Sequence, residues 1–235
     1  REVAGLPEDG EERGLGRPRG DDVVALDPVA ASALLFAAQG RALRQSNALG
    51  ALMLAELGDV LPRTDGVRVL AIPYDGGAVL SHEPAPGTQV VIPMVTEHGR
   101  RLVIGDATQT TAHAGFDLYG RWFDVGQPAS GTEYDPAEAW EIAVARGRVA
   151  LAEEILGCCE TALASAVEHA STRTQYGREI GRFQGVRHRL GESFAALEAA
   201  RGVVAAARLA GTPEAAALAK FQTGRVQKLV LRHTM

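Results

Sequence analysis

The hydrophobic pattern changes texture twice along the chain. Apolar positions at 29–38 and 43–57 run without strand-like alternation, separated by Gly40, and predict two helices of a small α-helical part. Asp27-Pro28 opens the first, with Asp accepting orphan N–H groups and Pro at a position that has no N–H to lose. Gly58 is the expected stop of the second, just ahead of Leu61-Pro62. Between 67 and 125 short apolar or alternating runs take over, at 67–72, 89–95, 101–104, 115–119 and 121–125, bounded by Gly, Pro and Asp. These are strand signals, with Glu97-His98-Gly99-Arg100 as a hairpin turn, and they predict a compact antiparallel β domain of partial-barrel form.

The last texture is long-range helical. Asp135-Pro136-Ala137-Glu138 combines an N-cap Asp, Pro at the first helical position and a Glu able to reach back to the cap. The helix it opens runs to about Ser171, tolerating Gly147 and Gly157, and is roughly 50–55 Å long at 1.5 Å per residue. A second helix is expected from about Phe183 to Ala210; Gly211 stops it, and Thr212-Pro213 start a third that continues to the chain end. Three long antiparallel helices with short corners make most of an up-down four-helix bundle. The expected fold class is α+β: an irregular N-terminus and partial α-helical domain over 1–62, an antiparallel β domain over 63–131, and a C-terminal helical bundle over 132–235.

Composition narrows the function classes. The 235 residues suffice for a sizeable core, 46% are hydrophobic and 23% charged, and the net charge is −5. No basic field exists to hold nucleic acid or an anionic membrane. No apolar run reaches the roughly 18–20 residues of a membrane span, and no signal peptide is visible. Cys158 and Cys159 are neighbours on a predicted helix and poorly placed to bridge each other, which fits a reducing cytoplasm. Residues 1–26 are rich in Gly, Pro and charge and read as irregular. The glycines at 14, 16 and 20 read as a surface loop, since no strand precedes them and Pro18 interrupts them. The chain opens on Arg1 and is still helix-periodic at Met235, so both ends read as incomplete.

Between the first two long helices lies Arg173-Thr174-Gln175-Tyr176-Gly177-Arg178-Glu179-Ile180, closing with Phe183-Gln184. A guanidinium at a helix end offers a planar fork of donors suited to a pyrophosphate, although residue type alone equally allows a surface pair with Glu168 or Glu179. Gly177 is expected to take positive φ at a sharp corner. The whole pattern, Arg-x-Gln-(Phe/Tyr)-Gly-x-x-Ile-x-x-Phe-Gln in a helix–turn–helix context, resembles the central signature of the acyl-CoA dehydrogenase family. Members are flavoproteins that desaturate acyl thioesters between Cα and Cβ. The resemblance implies an acyl-CoA dehydrogenase-like fold and FAD as cofactor, bound at this corner on behalf of a neighbouring subunit. It implies Arg173 on the pyrophosphate, with Thr174 and Gln175 supplying a hydroxyl and an amide. Tyr176 offers a face to the adenine end where the family usually has Phe, and Phe183 and Gln184 close the site. Arg148 matches a family position near the acyl-CoA pocket; a solvated or ion-paired arginine is the alternative there.

Two features depart from the family. Most members carry the proton-abstracting Glu on a segment after the signature, and a minority carry it one residue before the position of Arg148, where this chain has Gly147. Glu141, Glu153 and Glu154 lie nearby on the same helix but miss that place and read as solvated or ion-paired, so no catalytic base is assigned. The segments that hold the flavin ring on its home side are replaced by Ala71-Ile72-Pro73-Tyr74-Asp75-Gly76-Gly77 and by Trp122-Phe123-Asp124, which has the Trp without the hydroxyl. His82, His98, His113, His169, His188 and His233 show no metal-ligand spacing, and the adjacent cysteines have no partner set.

What the resemblance implies is therefore an acyl-CoA dehydrogenase or a subunit of one. It would form a homo- or hetero-oligomer, dimer or tetramer, with FAD at the subunit interface. Acyl-CoA thioesters are the implied substrates, including bulky ones such as those from sterol side chains, and an electron-transferring flavoprotein is the implied acceptor. A competent enzyme whose base lies beyond 235 is one alternative. A non-catalytic helical scaffold that binds no flavin is the other.

Overall fold

A computed structural model of the chain describes residues 28–74, 77–97, 99–106, 110–113, 122–126 and 131–235. The Asp27 cap, the irregular reading of 1–26, the strand expected at 115–119, Arg121 and His98 in the hairpin turn lie outside the described residues.

The N-terminal part forms α1 (Pro28–Ala42) and α2 (Ala48–Glu56). Gly40 is not the expected break, because α1 runs through it. The reason is packing against α3 (Ala137–Thr172), the first long helix. A Cβ on Gly40 would stand 2.0 Å from the Glu154 carbonyl oxygen, and one on Gly157 would stand 2.3 Å from that of Ala37. The two helices therefore cross backbone to backbone. Beside the crossing Arg41 pairs with Glu160, and the Thr161 hydroxyl donates to the Arg41 carbonyl at 2.9 Å. Gly58 stands where the stop is expected, one residue past the Leu57 C-cap, but in a plain turn rather than at positive φ, its N–H donating to the Ala55 carbonyl.

Among the described residues eight short strands follow: β1 (Arg68–Leu70), β2 (Ile72–Tyr74), β3 (Gly77–Leu80), β4 (Gln89–Thr96), β5 (Gly99–Asp106), β6 (Thr110–Ala112), β7 (Phe123–Val125) and β8 (Thr132–Tyr134). They make two four-stranded sheets, ordered β1-β4-β5-β8 and β2-β3-β7-β6. The pairs are antiparallel except β1 with β4, which is parallel. The apolar run at 67–72 feeds both sheets, with buried Ala71 at the crossover. One core joins Leu70, Val91 and Leu102 of the first sheet to Met53 and Leu57 of the α2 region and to Trp140 and Ala143 of α3.

At roughly 54 Å, α3 spans the molecule. Asp135 does cap its start, accepting from the Ala137 N–H at 3.0 Å, but the N-cap position is Pro136, and Asp135 also pairs with Arg101 of β5 at 3.0 Å. Two more long helices follow, α4 (Gln184–Ala210) and α5 (Pro213–Thr234). Their junction is as the sequence predicts: Gly211 sits at φ 66° and donates to Ala207, Thr212 accepts from the Ala215 N–H at 3.3 Å, and Pro213 opens α5. Leu156, Cys159 and Leu163 of α3, Leu197 and Val204 of α4, and Ala219 and Val230 of α5 form the bundle core. Burial pushes the Cys159 thiol up to about 11, and neither cysteine is bridged. At the far end Ser193 Oγ lies 3.0 Å from His233 Nδ1, tying the start of α4 to the end of α5.

Glu153 on α3 pairs with Arg208 on α4 at 2.8 Å. Burial raises the Glu153 carboxyl above its ordinary value, while Arg208 pulls it back down. A carboxyl whose folded-state value lies above its unfolded one binds protons more readily when folded, so its contribution to stability falls as pH rises through that window. Arg208→Met removes the main opposing charge. It is expected to destabilise by about 1–2 kcal/mol at pH 7, the arginine being one-third exposed, with the loss narrowing at a lower pH as Glu153 takes up a proton. Urea melts of both proteins at the two pH values check this; a loss independent of pH would assign the effect to packing rather than charge.

Candidate functional site

The signature stretch folds as a small hairpin inserted in the helix–helix corner, which sequence pattern had reduced to a turn. Arg173 is the C-cap of α3, in extended conformation at φ −72° and ψ 120°. Strand β9 (Thr174–Gln175) pairs antiparallel with β10 (Arg178–Glu179), Gln175 opposite Arg178 and Thr174 opposite Glu179. Tyr176 and Gly177 form the connection, both at positive φ (52° and 77°). A two-residue loop with both φ values positive is the turn whose twist matches a hairpin. Gly177 adopts that region freely, whereas an aromatic residue there is strained. The Ile180 N–H donates to the Arg173 carbonyl at 2.8 Å and closes the base of the hairpin. A 3-10 turn (Ile180–Arg182) then leads to Phe183, the N-cap of α4. Gly181 lets this turn lie on α3, since a Cβ there would stand 2.9 Å from the Ala170 carbonyl oxygen.

Arg173, Thr174, Gln175, Tyr176 and Gln184 are all exposed on this corner, and Phe183 is half-buried beside them. Among the described residues the Arg173 guanidinium makes no hydrogen bond or ion pair. The pairing with Glu179 that residue type allowed is pre-empted, because Glu179 holds Arg182 at 2.6 Å. Tyr176 is 92% exposed and meets Phe183 edge to face, with ring centres 6.3 Å apart. Gln184 Nε2 lies 3.4 Å from His188 Nε2.

Electrostatics favour an anion here. Residues 173–189 carry five arginines against one glutamate, on a chain whose net charge is −5. The N-terminus of α4 points into the same corner without a side-chain cap, so its first N–H groups and the helix dipole add positive potential. Net charge taken over the whole chain conceals this local concentration. An exposed unpaired guanidinium, free helix N–H groups and an aromatic face suit a dinucleotide better than they suit a metal. Among the described residues no group of three or more His, Cys, Asp or Glu side chains is placed to hold a metal ion. A groove of about 580 Å³ runs beneath the corner, lined by His169, Ala170, Ile180, Val186, Leu190 and His233.

Arg148 belongs elsewhere. It lies 25 residues earlier on α3, about 37 Å along the helix axis from Arg173. It is half-buried and, among the described residues, unpaired. Its neighbour Gly147 is buried, and a Cβ there would stand 3.0 Å from Met53 Sδ and 3.4 Å from Leu49 Cδ1. Side chains from α2 thus lie against the place where a longer side chain would start. Of the other glutamates considered, Glu141 is exposed and Glu153 is held by Arg208.

The β-sheet residues at the place of a flavin-ring pocket are occupied with one another. The Tyr74 hydroxyl donates to Asp124 Oδ1 at 2.8 Å, and His113 Nδ1 lies 2.8 Å from Asp124 Oδ2. Tyr74 and His113 also meet edge to face at 5.8 Å. The His113 contact holds the Asp124 carboxyl below its usual range, and the bond to Asp124 raises the Tyr74 hydroxyl. Both oxygens of Asp124, the carboxylate that stands where the family has a hydroxyl, are therefore engaged, and these residues do not fit the role.

The family described as "Acyl-CoA dehydrogenase, C-terminal domain" matches residues 139–235, which include the whole corner. The chain is similar to "Acyl-CoA dehydrogenase IpdE2" of Mycobacterium tuberculosis, 44% identical over 73 residues, which are 31% of this chain and 23% of that protein. It is also similar to the short-chain specific acyl-CoA dehydrogenase of Megasphaera elsdenii, 34% identical over 84 residues, 34% of this chain and 22% of that protein. The aligned stretches thus span under a quarter of these relatives' length. In fold it is similar to the Tcur3481-Tcur3483 steroid ACAD, with TM-score 0.70 and 22% identity over 88% of this chain and 69% of that one. The ChsE4-ChsE5 complex of Mycobacterium tuberculosis gives TM-score 0.70 and 18% identity over 88% of this chain and 68% of that one.

Proposed function

We propose that this chain, which belongs to the acyl-CoA dehydrogenase family through its C-terminal domain, is a subunit of an FAD-dependent acyl-CoA dehydrogenase that completes a partner chain's cofactor site. The observation that carries the reading is the contrast between two positions on α3. At one end Arg173 is exposed and, among the described residues, unpaired in a positive corner; at the other Gly147 brings no carboxylate and lies against the side chains of Met53 and Leu49. One end offers donors to a ligand, and the other carries no base.

FAD, when bound, supplies the hydride acceptor for α,β-desaturation. This chain's residues bind and orient it. Arg173 offers its fork of donors to the pyrophosphate, with the α4 N-terminus behind it. Thr174, Gln175 and Gln184 offer hydroxyl and amide groups, and Tyr176 and Phe183 offer aromatic surface at the adenine end. A proton-abstracting carboxylate comes from the partner in this reading, and so does the surface under the flavin ring. The partner is a second, different acyl-CoA dehydrogenase chain, as in the two-chain assemblies named above. Acyl-CoA thioesters are the substrates, bulky ones such as steroid-derived thioesters included, Arg148 faces that substrate, and an electron-transferring flavoprotein takes up the electrons. Domains divide as 1–62, 63–131 and 132–235.

The visible absorption spectrum tests this most directly. The chain purified alone is expected to be colourless, and the chain co-expressed with an adjacent acyl-CoA dehydrogenase gene to give a yellow complex with bound FAD. Flavin bands from the chain alone would mean that its own pocket works and would sink the subunit reading. Absence of flavin from both preparations would leave a non-catalytic scaffold.

A further inference from the structure

One cation of the corner has no role in the signature. Arg178, at the start of β10, places its guanidinium carbon 4.2 Å from the centre of the Phe183 ring. Phe183 in turn meets Tyr176 at right angles, 89° between ring planes. The three side chains come from the tip of the hairpin, its second strand and the cap of α4, so this line of contacts bridges all three pieces. Arg178 makes no ion pair among the described residues, because the adjacent Glu179 is engaged by Arg182. A guanidinium without a carboxylate partner stays over an aromatic face by cation–π attraction.

Tyr176 needs such a support. It is 92% exposed in a strained backbone conformation, and Phe183 is the ring it leans on. Strained conformations persist where surroundings over-determine them, and they cluster at ligand clamps. With one face of Phe183 covered by Arg178, the open aromatic face of the corner is that of Tyr176.

We infer that Arg178 is a positioning residue of the corner: it clamps Phe183 against Tyr176 so that Tyr176 presents a fixed face to a purine ring. The inference rests on the cofactor-completing role proposed above and adds to it which residues hold the adenine platform. Arg178 acts through Phe183 and need not touch the ligand. A fixed platform loses less side-chain freedom when a base stacks on it, which is where the affinity arises.

The test uses the flavoprotein assembly purified with this chain, stripped of flavin and titrated with FAD, with ADP and with FMN, which lacks the adenylate half. Arg178→Ala is expected to weaken FAD and ADP by about two- to fivefold, the size of one exposed cation–π contact, with FMN affinity and Tm unchanged. Arg178→Lys, which keeps a cation over the ring, should restore most of the loss. Equal weakening of FMN, unchanged ADP affinity, or a Tm drop shared by both variants would overturn the assignment. Arg173→Ala in the same titration separates the two levels. If it weakens FAD and Arg178→Ala does not, only the positioning role falls; if neither does, the cofactor-completing role falls as well.

Discussion

Arg173→Ala is expected to weaken FAD binding in the assembled flavoprotein by about 10- to 100-fold, the loss of roughly 1.5–3 kcal/mol for hydrogen bonds to a charged group. The fold should be untouched. Arg173 has no partner to abandon among the described residues, and its backbone contacts, the N–H to His169 and the carbonyl to Ile180, do not depend on the side chain. The reading is the flavin-to-protein ratio of the purified complex and the FAD affinity after stripping. Arg173→Lys should recover only part, because an ammonium supplies charge without the planar fork. Arg148→Ala serves as the control: about 37 Å away along α3, it should leave FAD affinity unchanged. Full retention of flavin by Arg173→Ala would remove the corner from the cofactor site altogether.

Why the corner, and not the rest of the site, was legible in the sequence follows from the kind of information each part uses. A fixed spacing of Arg, Gln, aromatic and Gly between two helices is local, and so are the Asp-Pro and Gly-Thr-Pro signals that opened α3 and α5. The hairpin within the corner was hidden because its turn puts Tyr at a position where Asn or Gly is the usual signal. The crossover at Ala71 was hidden because an apolar run does not say that its two halves join different sheets. Tertiary contacts were the least legible. Gly40 looked like a helix break and Gly147 like a tolerated residue, yet each is small because another element lies against it. The Tyr74–Asp124–His113 cluster joins residues separated by 39 and 11 positions, and no spacing rule connects them. Glu179 chose Arg182 over Arg173 for a reason of geometry, since β10 and the 3-10 turn place that pair three residues apart on one side.

Glycines also give the largest expected change in stability, with opposite signs at two places on the long helices, Gly202 and Gly157. Alanine is favoured over glycine inside a helix by about 1 kcal/mol, because glycine loses more backbone freedom on folding. Gly202, inside α4 with nothing within 4 Å of a would-be Cβ, should therefore respond to Gly202→Ala by gaining about 0.5–1 kcal/mol. Gly157→Ala offers the same propensity gain and should nonetheless lose about 3 kcal/mol, at the upper end for overpacking. Its Cβ would stand 2.3 Å from the Ala37 carbonyl oxygen and 2.9 Å from the Arg41 nitrogen. Both are backbone atoms, so no rotamer change relieves the clash and α1 must move off α3. The displacement would also pull Arg41 from Glu160 and the Thr161 hydroxyl from the Arg41 carbonyl. Gly40→Ala acts at the same crossing, against the Glu154 carbonyl, so the double variant should lose less than the two singles added. Once the helices have separated for one methyl, the second finds room. Urea denaturation of the four proteins measures this directly. A Gly157→Ala variant as stable as the parent would mean that α1 does not pack on α3 backbone to backbone.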